Sequence, residues 1–252
     1  MTVETNQPAV LTKYEAIRRR QYTVITDLLE VLPKINNLSG EYTAQARDAL
    51  FHADHPYLMV FVGPFSSGKS SLVNALLGQS DLLEVGPVPT TDRISILRYG
   101  DEQHRMNSGG EADTVFYPAE ILKRISLVDT PGLESVFERH EETTRKFLHR
   151  ADAVILVMLA TQAMTASNLE YLKKLREYGK KIIILVNQAD LLSPEQRETV
   201  KKYVADESLG RLGYKPPVFM VSAKMGQAAH TSGTPDAEKW RESGLADFDA
   251  YI

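Results

Sequence analysis

Eight consecutive residues constrain this chain more than anything else in it: Gly63-Pro64-Phe65-Ser66-Ser67-Gly68-Lys69-Ser70 fits the pattern G-x-x-x-x-G-K-[ST]. The run before it, Leu58 to Val62, is unbroken and apolar, as in a strand buried on both faces of a parallel sheet. After it, Leu72, Ala75 and Leu76 recur at helical spacing. Strand, glycine loop and helix thus come in the order of a P-loop. Gly63 and Gly68 reach backbone conformations closed to other residues, so successive N–H groups can turn inward around phosphate oxygens. The helix that follows aims its N-terminal amides and dipole at the same place. Lys69 adds a full positive charge near the β- and γ-phosphates, and the Ser70 hydroxyl is a ligand for Mg²⁺. A chance match in a tight turn would need neither flanking element, and here both are present.

A chain of 252 residues has room for one α/β domain with a buried core and a small appendage. Its net charge is −4, so no global positive field draws it to nucleic acid. The absence of cysteine excludes disulfides and thiolate metal sites and fits a reducing cytoplasm. The first ten residues, MTVETNQPAV, lack the basic and apolar regions of a signal peptide. The longest apolar runs, around 153–160 and 182–186, are too short to span a bilayer, so a soluble, cytoplasmic chain is expected. Six histidines (His52, His55, His104, His140, His149 and His230) are scattered without ligand spacing.

Read in order, residues 10–32 carry a helical pattern, with Ile25, Leu28, Leu32 and Ile35 spaced to pack on another helix and Pro33 placed to end it. A turn at 36–40 leads to a second helix over 41–51, with Tyr42, Ala46, Ala49 and Leu50 on one face. The triple arginine 18–20 reads as a solvated helix face. Beyond the P-loop helix, a loop over 78–87 precedes Val88-Pro89-Thr90-Thr91 and a strand over 93–99. Residues 101–113 are polar and glycine-containing, a flexible or hairpin segment. Strands are expected at 125–128, 153–159, 181–186 and 218–221, and helices at 139–149, 165–178 and 194–206. The last of these opens on an N-cap serine, Ser193, with Pro194 at N1 and Gln196 at N3. Strands and helices alternate, so the fold class is α/β: a mostly parallel, doubly wound sheet with helices on both faces, preceded by an N-terminal helical hairpin. The expected division is 1–54 helical, 55–235 nucleotide-binding and 236–252 a further helical segment.

In a doubly wound sheet, ligand-binding residues lie beyond the carboxyl ends of strands, and four motifs sit there. Asp129-x-x-Gly132 supplies a carboxylate for Mg²⁺, commonly through water, and a glycine amide for a γ-phosphate. A helix-capping aspartate with a turn glycine is the plainer alternative. Thr91, or Thr90, stands in the loop that would cover the phosphates. A hydroxyl there completes the Mg²⁺ shell only while the γ-phosphate is present, which makes the loop a switch. Asn187-Gln188-Ala189-Asp190 fits the guanine-specificity pattern [NT]-[KQ]-x-D. The Asp190 carboxylate can accept hydrogen bonds from guanine N1–H and the 2-amino group, and adenine offers neither. Gln188 stands where a lysine stem usually packs on the base. Ser222-Ala223-Lys224 follows the last strand, where backbone amides can meet guanine O6. Each motif alone is weak; the ordered set is specific.

These residues resemble the translation-factor-like GTPases and, within them, the dynamin superfamily, closest to the bacterial dynamin-like proteins. The resemblance is carried by Gly63 to Gly78, Val88-Pro89-Thr90-Thr91, Leu97-Arg98-Tyr99-Gly100 and Tyr117-Pro118. Leu127-Val128-Asp129-Thr130-Pro131-Gly132 and Arg150-Ala151-Asp152 complete it, and the match spans roughly residues 57–224. It implies a GTP/GDP-binding, Mg²⁺-dependent enzyme that hydrolyses GTP to GDP and phosphate, stimulated when two GTPase domains meet across their nucleotides. The implied nucleotide contacts are Gly63, Phe65, Ser66, Ser67, Gly68, Lys69, Ser70, Ser71, Asp129, Gly132, Asn187, Gln188, Asp190, Ser222, Ala223 and Lys224. The implied metal ligands are Ser70, Thr91 and Asp129, and Lys69, Thr91 and Ser66 form the expected catalytic set.

The resemblance also implies a homodimer, membrane remodelling or fusion through regions absent from this chain, a location peripheral to the membrane, and no nucleic-acid partner. The helices before Tyr57 are similar to the neck helices that flank such domains. Leu133 follows Gly132, where Ras-like enzymes carry a water-positioning glutamine, and Phe65 stands where eukaryotic dynamins carry a polar side chain. Water positioning is therefore expected from the backbone or a partner protomer, and slow turnover from a monomer. A helical pattern begins at residue 245 just before the chain stops, so the chain is expected to be a piece of a longer protein. Two other readings share the nucleotide motifs: a ribosome- or RNA-associated switch GTPase, and a GTP-gated interaction module with little hydrolysis.

Overall fold

The computed structural model describes residues 7–35, 38–54, 57–86, 93–107, 112–131, 147–230 and 236–252. Thr90, Thr91, Gly132 and Leu133 lie outside the described residues, as does most of the helix expected over 139–149, of which 147–150 are helical. The chain divides into two compact units, 1–56 and 57–252.

The first unit pairs two helices, α1 (Gln7–Val31) and α2 (Gly40–Asp54). A 3₁₀ turn at Leu32–Lys34 ends α1 where Pro33 removes an amide donor. The packed face differs from the one read in the sequence. Ile25, Leu29 and Leu32 of α1 are half-buried, whereas Leu28 is 46% exposed and Ile35 is exposed as well. In α2, Ala46 is buried and Leu50 half-buried, while Tyr42 and Ala49 face outward. A 4-3 spacing fits two neighbouring faces of so apolar a helix, and only one of them meets α2.

The second unit is built on an eight-stranded sheet: β1 (Tyr57–Val62), β2 (Ile94–Tyr99), β3 (His104–Asn107), β4 (Ala112–Tyr117), β5 (Ile125–Asp129), β6 (Ala153–Leu159), β7 (Lys181–Asn187) and β8 (Val218–Met220). Their order across the sheet is β3-β4-β2-β5-β1-β6-β7-β8. The strands from β5 to β8 in that order are parallel, β2 runs antiparallel to β5, and β3 antiparallel to β4. The sheet is therefore mostly parallel, as expected. Strict alternation of strand and helix fails over 94–129, where β2, β3, β4 and β5 follow one another with only a 3₁₀ turn between β4 and β5. The segment read as polar contributes β3 and the start of β4. Of the two readings, flexible or hairpin, the hairpin holds: β3 and β4 pair antiparallel, and the buried Asp113 carboxylate is met by Arg93 at 3.1 Å and Arg105 at 3.8 Å.

Helices α3 (Lys69–Leu76), α4 (Ala166–Glu177), α5 (Pro194–Leu212), α6 (Ala223–Ala229), α7 (Ala237–Glu242) and α8 (Leu245–Tyr251) complete the unit. The capping box at Ser193 and Gln196 forms, with each side chain meeting the other's backbone. That helix continues past the expected residue 206, because Val204, Ser208 and Leu212 keep a buried face until Gly213 turns left-handed at φ 83°. Residues 237–252, which the sequence sets apart, pack within this unit: Leu245 and Phe248 are fully buried in the same core cluster as Leu72 and Ala75 of α3. Among the described residues no helix is long and apolar enough to cross a membrane.

Candidate nucleotide site

The carboxyl ends of β1, β5, β7 and β8 converge on one side of the sheet. From β1 the chain enters the P-loop. A Cβ at Gly63 would lie 2.2 Å from the Val157 carbonyl oxygen, and one at Gly68 would lie 2.2 Å from Asn187 Nδ2. Close approach, as much as backbone freedom, requires glycine at both places. Ser66 takes φ 58°, and Gln188, across the cleft, φ 62°; among the described residues these are the non-glycine positions with left-handed backbone. Such conformations cost roughly 1–3 kcal/mol and concentrate at binding sites.

Ser66, Gly68 and Ser71 line a cavity of about 320 Å³ together with Asn187, Gln188, Asp190, Ser222, Ala223 and Lys224. All nine are residues that the sequence places at the nucleotide. Leu191 and Gln227 complete its wall and carry no motif signal. Gln227 Nε2 donates to the Ser71 carbonyl at 3.4 Å, and Leu191 is 62% exposed.

Asn187 ties the two sides of the cavity together. Its Nδ2 donates to the Ser67 carbonyl at 3.0 Å, and its Oδ1 accepts from the Ala223 amide at 3.1 Å. It therefore positions both loops from a buried place, more than the base-reading role expected for it. The Ala189 amide also donates to the Val221 carbonyl at 3.0 Å, so the loop after β7 is bound to the end of β8 twice.

Beside the cavity lies a polar cluster. Lys69 is buried, and its Nζ donates at 3.1 Å to each of the Gly63 and Pro64 carbonyls. Burial lowers its pKa, against the pull of Asp129. Ser70 Oγ donates to Asp129 Oδ2 at 2.5 Å. Burial raises the Asp129 carboxyl from its ordinary value to about 6, opposed by the Lys69 ammonium and the Ser70 hydrogen bond. Asp129 Oδ1 and Ser67 Oγ are buried and have no hydrogen-bond partner in the protein. A buried carboxylate oxygen without a donor, beside a hydroxyl and a lysine, is a donor set that fits Mg²⁺. Thr130 Oγ1 donates to the Phe61 carbonyl at 2.7 Å and fixes the backbone just after Asp129.

Comparison with known proteins agrees with this geometry. The family described as 50S ribosome-binding GTPase matches residues 58–188, just over half of the chain. A probable chloroplastic transmembrane GTPase, FZO-like, of Arabidopsis thaliana is 37% identical over 95% of this chain and 28% of its own length. Dynamin-like protein 2 of Campylobacter jejuni is 31% identical over 63% of this chain and 30% of its own length. The chain thus spans less than a third of each of these two relatives. One chain of an oligomerised bacterial dynamin pair, described as a mechanism for long-range sensing and tethering of membranes, superposes with a TM-score of 0.64. That match covers 94% of this chain and 51% of that one at 22% identity, and it shows the shared fold. The chain belongs to the 50S ribosome-binding GTPase family and carries a GTPase domain with dynamin-like relatives, of a kind that binds guanine nucleotide and hydrolyses GTP.

Proposed function

We propose that residues 57–252 form a Mg²⁺-dependent GTPase domain whose turnover is low in the monomer and rises when two copies meet across their nucleotides. In this reading the intact protein acts peripherally on a membrane from the cytoplasm, and residues 7–54 are the helical segment flanking the domain. The observation that carries the reading is the Asn187 clamp, which holds the phosphate loop and the base loops as one site.

The roles follow from position. P-loop amides and the Lys69 ammonium hold the β- and γ-phosphates, and Asp190 accepts from guanine N1–H and the 2-amino group. Gln188 borders the base, and of the Ser222-Ala223-Lys224 amides the one for O6 is that of Lys224, since Ser222 and Ala223 donate to the Ser243 carbonyl and Asn187 Oδ1. Ser70, Thr91 and Asp129 are the residues to hold Mg²⁺, which when bound neutralises charge developing on the phosphate oxygens. The Gly132 amide meets the γ-phosphate. Water attacks the γ-phosphorus as the bond to the bridging oxygen breaks, and Ser66, on the cavity wall, is the P-loop hydroxyl we assign to that step. Leu133 follows Gly132, where a Ras-type enzyme carries its water-positioning glutamine, and this supports backbone or partner-protomer assistance. Phe65, 39% exposed, and Leu191 present apolar surface beside the cleft, as a face-to-face contact between copies requires.

The family description names the 50S ribosome, and this keeps an RNA-associated switch as the second reading. A net charge of −4 disfavours it. The test is GTP turnover per molecule across a protein concentration series, with ATP as control. A rate confined to GTP that climbs with concentration supports the proposal. A flat, near-zero rate with tight GTP binding replaces it with a gated interaction module, and equal use of ATP removes the guanine assignment. Pelleting of the full-length protein with liposomes, against ribosomal RNA as competitor, separates membrane from RNA.

A further inference from the structure

The guanine loop is braced from a part of the chain that carries no nucleotide motif. The Ser222 amide, first in Ser222-Ala223-Lys224, donates to the Ser243 carbonyl at 2.8 Å. Ser243 is itself buried and immobilised on three sides. Its Oγ donates to the Trp240 carbonyl at 2.6 Å and accepts from the Leu245 amide at 3.2 Å, while its own amide donates to the Lys239 carbonyl at 2.9 Å. The next residue, Gly244, turns the chain at φ 71°, and a Cβ there would stand 2.0 Å from the Met220 carbonyl oxygen. That contact presses the turn between α7 and α8 directly against the end of β8, two residues before the loop. From the turn, α8 carries Leu245 and Phe248 into the hydrophobic core, where Phe248 meets Phe219 of β8 at 5.6 Å between ring centroids.

One chain of hydrogen bonds and close contacts therefore runs from the phosphate loop to the C-terminal helix. Ser67 is held by Asn187, Asn187 holds Ala223, and Ser222 is held by Ser243. Gln227, one turn into α6, closes the circuit to Ser71.

We propose that Ser243 and Gly244 are positioning residues for guanine recognition, fixing the height of the Ser222-Ala223-Lys224 loop over the base. This rests on the guanine-nucleotide reading of the cavity and deepens it. The base pocket is then built on α7 and α8 as well as on the motifs, and any shift of α8 changes guanine affinity. Linkage requires the converse: guanine binding stabilises the Gly244 turn by the same factor.

The experiment compares wild type with Ser243→Ala and Gly244→Ala in the full chain. Titration calorimetry reads the Kd for GDP and for inorganic tripolyphosphate, which engages the phosphate loop and lacks a base. Circular dichroism and thermal melts establish that each variant folds. Gly244→Ala is expected to weaken GDP by roughly tenfold, the worth of one or two misplaced hydrogen bonds. Ser243→Ala, which keeps the carbonyl and loses only its hydroxyl brace, is expected to weaken GDP about threefold. Tripolyphosphate affinity stays within about twofold of wild type in both, because Lys69 and the P-loop amides are untouched. Unchanged GDP affinity in a folded variant overturns the proposal, and so does an equal loss for both ligands, which signals a general structural defect. Should Gly244→Ala fail to fold, Ser243→Ala decides by the same criteria. A wild type that binds no GDP overturns the nucleotide reading itself, an outcome distinct from either.

Discussion

Ser70 Oγ donates a 2.5 Å hydrogen bond to Asp129 Oδ2 across 59 positions of sequence, and it joins the first turn of α3 to the last residue of β5. The bond aligns a hydroxyl and a carboxylate on one point beside the buried Lys69 ammonium. The Ser70 proton satisfies one carboxylate oxygen and leaves Oδ1 without a hydrogen-bond partner in the protein. Under the proposed reading, a divalent cation held by Ser70 and Asp129 would take over that neutralisation.

Ser70→Ala should therefore separate metal dependence from nucleotide binding. We expect GDP affinity without Mg²⁺ within about threefold of wild type, since the phosphate amides remain. The gain in affinity on adding Mg²⁺ should largely vanish, and GTP turnover should drop by about 10² or more. Fluorescent GDP titrations with and without Mg²⁺ check this. A full Mg²⁺ response in the variant would remove Ser70 from the metal site.

The Asp129 carboxyl carries a pH signature. Its folded-state pKa, raised to about 6 from 3.8, means that the folded, nucleotide-free protein holds a proton that the unfolded chain releases. Stability from this group is complete below pH about 4 and is lost as pH rises through about 6, by at most about 3 kcal/mol. Asp129→Asn lacks the titration. Relative to wild type, the metal-free variant should become more stable between pH 4 and 6 and hold that advantage above. Parallel pH profiles in denaturant melts would refute the burial argument.

Truncating Asn187 removes two buried hydrogen bonds and orphans the Ser67 carbonyl and the Ala223 amide. We expect Asn187→Ala to lower stability by about 2–4 kcal/mol and GDP affinity by at least about tenfold. Asn187→Asp keeps the acceptor for Ala223 but sets a buried carboxylate oxygen against the Ser67 carbonyl, so it should be no more stable than Asn187→Ala in guanidinium melts. An Asn187→Ala protein that matches wild type in melts and titrations would refute the clamp.

What could be read from the sequence divides by range. The stretch from Gly63 to Ser70, Asp129 and Asp190 were legible because each motif is local: a strand end, a turn and a side chain within a few residues. The bridging function of Asn187 was not, since its partners Ser67 and Ala223 lie 120 and 36 positions away. The hairpin of β3 and β4 was one of two readings of 101–113, and what was not legible is how far β4 runs, because Asp113 looks like a loop residue until Arg93 and Arg105 are seen against it. The packed side of α1 was misread because Leu28 and Leu29 are equally apolar, and only the course of α2 decides which is covered. Residues 237–252 read as an appendage because nothing in Leu245 or Phe248 announces that they join the core of the sheet, where Phe248 meets Phe219 of β8.

Base discrimination offers the sharpest test of Asp190. Its carboxylate can only accept, which suits the N1–H and 2-amino donors of guanine. Asp190→Asn replaces one acceptor with a donor, so GTP should lose roughly 10²-fold in affinity, the effect of one lost charge-assisted bond and one mismatched pair. Xanthosine triphosphate carries an oxygen where guanine carries the 2-amino group, and the new amide can donate to it. The ratio of GTP to xanthosine triphosphate affinity should therefore fall and approach or cross unity, while ATP stays weak in both proteins. Competition titrations against a fluorescent GDP give all three constants. The location of Asp190 on the cavity wall with Gln188 and Ala223 makes this inversion a property of the pocket. An unchanged ratio would place the base somewhere other than this cavity.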